Sequence, residues 1–127
     1  NKNFKLIDPR GKWGQGISGD IKYDIAKIRH SVVGGFDMIT NGLYSATYDE
    51  KNGVKFDIYE PKNYQVICEK LDSQIKQNWN LDDIKMIEGL LFISMLPLHK
   101  DNLENQFAFY SIGIQRLNEI FGDVSQR

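Results

Sequence analysis

The stretch LDDIKMIEGLLFISML, Leu81–Leu96, is apolar on most sides of a helical wheel and is followed by Pro97. Its apolar residues include Ile84, Ile87, Leu90, Leu91, Phe92 and Met95. A helix that is apolar nearly all round is buried nearly all round, and the residue before a proline is disfavoured in a helix. We therefore predict a central, buried helix that ends next to Pro97.

Three more helices are predicted around this one. The last begins near Asn102, with Asp101 as N-cap and Glu104 three residues on as in a capping box, and ends at Gly122. It carries apolar residues at alternating steps of four and three, which predicts packing against the central helix: Leu103, Phe107, Tyr110, Ile114, Leu117 and Phe121.

The two earlier helices also show apolar stripes. One begins at Asp20, a favoured N-cap, and stops at Gly34-Gly35; its stripe is Ile21, Ile25, Ile28 and Val32. The other runs from about Asn63 to Trp79, with apolar steps at Tyr64, Ile67, Leu71, Ile75 and Trp79.

Two segments have strand character. Tyr44 to Tyr48 and Val54 to Tyr59 flank Asn52-Gly53, a pair that favours a tight hairpin turn. Phe4-Lys5-Leu6-Ile7 alternates as a short N-terminal strand. The predicted fold is mainly α, a single domain over residues 1–127, with a leading strand and an inserted β-hairpin.

Composition narrows the function classes. The 127 residues have a formal net charge of −1 with both signs interspersed, so we predict no nucleic-acid partner. The longest apolar run, Gly89 to Leu98, is too short to span a bilayer. The start shows no signal-peptide pattern, and the lone Cys68 cannot form a disulfide within the chain. We expect a cytoplasmic protein with no membrane span.

Asp8 is the strongest local candidate for chemistry. It closes the predicted strand and precedes Pro9 and a loop containing Gly11, Gly14, Gly16 and Gly19. A carboxylate fixed at a strand end suits Mg²⁺, which takes one or two protein carboxylates. The alternative is a solvated turn aspartate, because Asp-Pro is common in turns. The glycines lack the Gly-Lys-Ser/Thr ending of a P-loop, and we interpret them as a flexible connection.

The two histidines are weaker candidates for chemistry than Asp8. His30 lies late in a helix, where a cation suits the helix dipole. His99 lies in a loop between two buried helices and, with Asp101, could contact a polar ligand or serve only loop hydrogen bonding and capping. Neither a zinc-binding spacing nor a nucleophile-elbow sequence occurs in the chain.

Several segments of the sequence together resemble one protein family. Ile7-Asp8-Pro9-Arg10-Gly11, then Gly19-Asp20 and Tyr23-Asp24-Ile25-Ala26-Lys27, resemble the segment after the catalytic loop of aminoglycoside-phosphotransferase and choline-kinase-like enzymes. Pro97-Leu98-His99-Lys100-Asp101-Asn102 is similar to a bacterial branch found in capsule and surface-polysaccharide gene clusters. Some members of that branch are fused to a sugar nucleotidyltransferase.

The resemblance implies a kinase-like C-terminal lobe and roles for five residues. Asp8 would hold the Mg²⁺ that bridges the ATP phosphates. Asp20 would cap its helix and Asp24 would brace the catalytic loop. His99 and Asp101 would lie on the acceptor side of the cleft.

The departures from the family limit what the chain does alone. The family's His-Gly-Asp and downstream Asn are missing from the sequence, as is its nucleotide-binding lobe with a β-strand lysine. We therefore expect the C-terminal piece of a longer phosphotransferase, inactive alone, that acts on a sugar or amino-alcohol. The rival hypothesis is a non-catalytic helical binding or assembly module that self-associates through an exposed apolar face.

Overall fold

The computed structural model describes Gly16, residues 19–51 and residues 53–122. In this part of the chain the order of elements is α1 (Ile21–Val32), α2 (Phe36–Thr40), β1 (Tyr44–Asp49), β2 (Gly53–Ile58), α3 (Tyr64–Lys76), α4 (Leu81–Met95) and α5 (Leu103–Phe121). A 3₁₀ helix, Leu96–His99, connects α4 to α5. The mainly α fold with a β-hairpin is thus confirmed, while the predicted strand Phe4–Ile7 lies outside the described residues.

The two strands of the hairpin form at the predicted positions, but Gly53, predicted in the turn, is the first residue of β2. Strand β1 pairs with β2 in an antiparallel register that places Tyr44 opposite Ile58 and Asp49 opposite Gly53. One face carries apolar side chains to the core, where Tyr44, Phe56 and Ile58 pack against a buried cluster formed by Ile39, Phe92, Ala108, Phe109 and Ile112. The hairpin is therefore attached to the helices and does not stand free of them.

Helix α4 occupies the centre of the described fold, as its composition predicts. It packs between α1 and α5 and contributes the fully buried Ile84 and Phe92 to two separate apolar clusters. Gly89 on α4 faces Gly113 on α5; a Cβ on Gly113 would lie 3.1 Å from the Gly89 carbonyl oxygen. The two glycines therefore let these helices approach more closely than any larger residue would permit.

Helix α5 packs on α4, but through a different face from the one predicted. Leu103, Phe107, Tyr110 and Phe121 are 76%, 39%, 52% and 53% exposed. The buried residues of α5 are instead Asn105, Ala108, Phe109, Ile112 and Gly113. The predicted stripe is therefore wrong for these four positions, because Ala108, Phe109 and Ile112 on a neighbouring face of α5 pack against Phe92 of α4 instead.

Helix α1 shows a similar rotation. Ile21 and Ile28 of the predicted stripe are 58% and 53% exposed, while the buried residues are Ala26, Arg29 and His30. On α3, Ile75 is buried as predicted and Ile67 is 53% exposed. Arg29 on the buried face of α1 has charged partners inside the fold, which the hydropathy of single residues does not reveal.

The ends of the helices follow from local chemistry. Gly35 has a φ of 68°, and a Cβ there would lie 2.5 Å from Ile58, so glycine is required where α1 gives way to α2. The segment before α5, predicted as a loop, is mostly the 3₁₀ helix that contains Pro97. In the described residues no helix has the length and hydropathy needed to cross a membrane.

Candidate functional site

The predicted metal ligand, Asp8, lies outside the described residues, as do Pro9, Arg10 and Gly11. Its role as a Mg²⁺ ligand stays a prediction. Among the described residues, no three His, Cys, Asp or Glu side chains are grouped so that they could hold a metal ion. A Mg²⁺ ion that is carried mainly by substrate phosphates does not require such a group.

The two predicted structural aspartates lie at the start of α1. Asp20 is its N-cap: a carboxylate oxygen accepts a hydrogen bond from the Lys22 main-chain N–H at 2.9 Å. Asp24 lies one turn further along and is exposed. Lys22 then ties this end of α1 to the first turn of α4 through an ion pair with Asp83, whose carboxylate is 2.7 Å from Nζ.

His99 and Asp101 lie at the other end of the same helices. Helices α1 and α4 run side by side in one direction, since Lys22 contacts Asp83 near their starts and His30 contacts Phe92 near their ends. Twelve residues of α1 span about 18 Å, and His99 follows α4. The described structure therefore does not bring the pair at residues 99 and 101 next to Asp20 and Asp24.

The immediate surroundings of His99 are aromatic. Its ring packs edge-on against Phe109, with centroids 4.9 Å apart, and more distantly against Phe36. Asp101 is exposed, and the predicted cap at this residue is wrong: the N-cap of α5 is Asn102, whose side-chain oxygen accepts from the Asn105 main-chain N–H at 2.9 Å. A ligand role for His99 and Asp101 stays a prediction.

His30 differs from its predicted role as a cation at a helix end. Only 4% of the residue is exposed, and its ring lies between Phe36 and Phe92 at centroid distances of 4.6 and 4.1 Å. Burial, with a smaller effect of Lys27, lowers the pKa of His30 to about 4. The neutral imidazole keeps an Nε2 atom that is buried and has no hydrogen-bond partner among the described residues.

An ion-pair network that the sequence analysis missed lies at the centre of the helices. Glu88 on α4 is fully buried and accepts from Arg29 on α1 and from Arg116 on α5. Arg29 also makes a two-point contact with Asp72 on α3, from Nε at 2.8 Å and Nη2 at 3.0 Å. The sequence does contain a signal for this network: Glu88 is a carboxylate in the middle of a mostly apolar helix, and a buried charge needs partners.

The network continues toward the surface. Glu119 contacts both Arg116, at 2.6 Å, and Lys85, at 3.0 Å. Burial would raise the pKa of the Glu119 carboxyl, but the two cations outweigh it and the net effect lowers that pKa. The network thus joins α1, α3, α4 and α5 with three cations and three anions, Arg29, Arg116 and Lys85 against Asp72, Glu88 and Glu119. Because these charges pair with one another, the network is suited to hold the helices together and not to act on a substrate.

An open groove of about 550 Å³ lies between β1 and the first turns of α5. Tyr44 and Ser45 line one wall, and Glu104, Asn105 and Phe107 line the other. The Tyr44 hydroxyl donates to the Asn105 side-chain oxygen at 2.9 Å and links the walls at the base. No sequence motif marks this groove, because its walls come from segments about 60 residues apart in the chain.

Comparison of the chain with known protein families, with curated proteins and with solved structures found no match. The residues that the structure describes form a mainly α fold with an antiparallel β-hairpin.

Proposed function

We propose that this chain is the C-terminal portion of a kinase-like, ATP-dependent phosphotransferase that acts on a small acceptor. The proposal rests on one observation, the sequence Ile7-Asp8-Pro9-Arg10-Gly11 followed by Gly19-Asp20 and Tyr23-Asp24-Ile25-Ala26-Lys27. The acceptor that fits the resemblance is a sugar or an amino-alcohol in cytoplasmic steps of surface-polysaccharide synthesis.

Asp8 is the residue of this chain that would hold Mg²⁺. The metal, when bound, neutralises charge on the phosphates of ATP during transfer. One carboxylate from the protein is within the usual requirement, since Mg²⁺ retains waters and takes substrate phosphates as its other ligands.

The described structure supports a fixed framework for such a site. Helix α1 begins at Asp20, and its first turn presents the exposed Asp24. The same helix is anchored to α3 and α4 by Arg29 and to the start of α4 by Lys22. Residues near the start of α1 are therefore attached to a rigid group of helices, as precise positioning of reactants requires.

The chain alone lacks the parts that position the acceptor and the nucleotide. Phosphoryl transfer needs several groups acting together, and the sequence contains no His-Gly-Asp for the acceptor hydroxyl. We therefore expect no phosphotransfer from residues 1–127 by themselves.

The test uses the product of the complete reading frame that contains these residues. With radiolabelled ATP and a panel of sugars and amino-alcohols, Asp8→Ala is expected to lower transfer about a hundredfold or more. The control is Asp82→Ala, an exposed aspartate in the first turn of α4, which is expected to retain the wild-type rate. Wild-type turnover by the Asp8 variant, or a reading frame without His-Gly-Asp before the chain, would contradict the proposal.

A second candidate function, self-association as an assembly module, is favoured by the exposed apolar residues of α5. Tyr110 and Phe121 are both more than half exposed on this helix, and exposed apolar patches mark interaction sites. Sedimentation of the 127-residue chain is expected to show a dimer that Tyr110→Glu and Phe121→Glu convert to a monomer. A wild-type monomer at every concentration would remove this candidate.

A further inference from the structure

The groove between β1 and α5 combines hydrogen-bond donors with acceptors. Asn105 is only 8% exposed, and its oxygen is occupied by the Tyr44 hydroxyl, so its amide nitrogen is the group left for a ligand. No described residue accepts a hydrogen bond from that nitrogen. The main-chain N–H groups of Leu103 and Glu104 lie in the first helical turn, where no intrahelical acceptor exists. The Glu104 carboxylate and the Ser45 hydroxyl supply acceptors.

The charge of the groove is close to balanced. Glu104 is the one ionised side chain among the described residues that line it. The N-terminal end of α5 carries the positive end of the helix dipole, which offsets a carboxylate in the first turn. The groove therefore offers little net field to attract a strongly charged ligand, whether cation or anion.

Apolar side chains border the polar groups. Leu103 is 76% exposed and Phe107 is 39% exposed, and both line the groove. Apolar side chains beside hydrogen-bond donors and acceptors match a molecule with C–H faces and a rim of hydroxyl groups. The volume of about 550 Å³ lies within the range of small-ligand sites.

We propose that this groove binds a neutral sugar ring, with Glu104 and Asn105 bonding its hydroxyl groups and Phe107 packing against its C–H face. The groove opens at the start of α5, at the opposite end of α4 from Asp20, and sugar binding there can be measured whether or not the chain belongs to a phosphotransferase.

The test is binding to the isotopically labelled 127-residue chain, followed by NMR. D-glucose, N-acetyl-D-glucosamine and cellobiose are titrated up to their solubility limits. At least one of them is expected to shift the side-chain amide of Asn105 and the main-chain amides of Leu103 and Glu104. Shifts at none of these groups with all three sugars would overturn the proposal, as would shifts confined to another surface.

Substitutions on α5 test whether a loss of sugar binding comes from the groove or from a general effect on the helix. Phe107→Ala is expected to weaken sugar binding about tenfold, and Glu104→Gln is expected to weaken it by a similar factor. The matched control is Asn118→Ala, which shortens an exposed side chain on the same helix outside the groove and should leave binding within about twofold. Equal losses for the Phe107 and Asn118 variants would overturn the proposed contact. Choline and inorganic phosphate serve as charged probes, and tighter binding of either at the groove would overturn the ligand class.

Discussion

Arg29 and Glu88 form an ion pair that is shielded from water, with 3% and 0% of their side chains exposed. The pair joins α1 to α4, and Arg116 approaches the second oxygen of Glu88 from α5. Both charges are surrounded by partners, as buried charges must be. One carboxylate therefore links α1, α4 and α5.

Glu88→Ala is expected to lower the free energy of unfolding by about 3–5 kcal/mol, because the change leaves the buried Arg29 without its fully buried partner. Urea denaturation followed by circular dichroism measures this difference. Glu69→Ala on the exposed face of α3 is the control and should change stability by about 0.5 kcal/mol or less. Equal stability of the two variants would show that the ion pair does not hold the helices.

The sequence predicted the elements well because their signals are local. Asp20 marks the start of α1 as its N-cap, Gly35 takes a left-handed backbone angle between α1 and α2, and the two strands of the hairpin follow from the alternation of their residues. The five-residue α2 was missed, because it lies between Gly35 and Asn41 and is too short to show a period.

The buried faces were harder to predict because they depend on partners from distant segments. Hydropathy favours Ile28 over Arg29 for the core of α1, yet Arg29 is buried since Asp72 and Glu88 lie where its guanidinium reaches them. The groove near Tyr44 and Asn105 could not be predicted from the sequence either, because the hydrogen bond between these two residues joins positions 61 apart in the chain.

The buried, neutral His30 predicts a pH dependence of stability. Its pKa is about 4 in the folded protein and about 6.5 when unfolded. Between these pH values the unfolded chain therefore binds more protons than the folded protein. The contribution of His30 to the free energy of unfolding should be fully present above pH 6.5 and should be lost as the pH drops toward 4. We expect a loss of about 2–3 kcal/mol over this interval from His30 alone.

His30→Phe isolates that contribution. The phenyl ring can replace imidazole between Phe36 and Phe92 and removes the unpaired nitrogen. Chemical denaturation at pH 7 and pH 5 should show a smaller difference for the variant than for the wild type. Parallel pH profiles for the two proteins would show that His30 does not titrate in this range.

Two neighbouring residues before α5, Asp101 and Asn102, differ in whether they cap the helix. Asn102 makes the capping hydrogen bond, whereas Asp101 is exposed beside it. Asn102→Ala is expected to cost about 1 kcal/mol of stability, and Asp101→Ala about 0.5 kcal/mol or less. Thermal denaturation of both variants under one condition provides the comparison, and a larger loss for the Asp101 variant would assign the cap to that residue instead.

The contact between Gly89 and Gly113 sets how closely α4 and α5 pack. A methyl group on Gly113 would lie 2.8 Å from Cδ1 of Ile93 and 3.1 Å from the Gly89 carbonyl oxygen. The Ile93 side chain can move, but the backbone oxygen can do so only if the helices separate. Gly113→Ala is therefore expected to lose about 1–3 kcal/mol to overpacking, partly offset by the roughly 1 kcal/mol by which alanine favours a helix. Gly122→Ala is the control, since no atom of the described residues lies within 4 Å of the added methyl group. Urea denaturation should show Gly113→Ala less stable than Gly122→Ala, and the reverse order would mean that the two helices are not held at this distance.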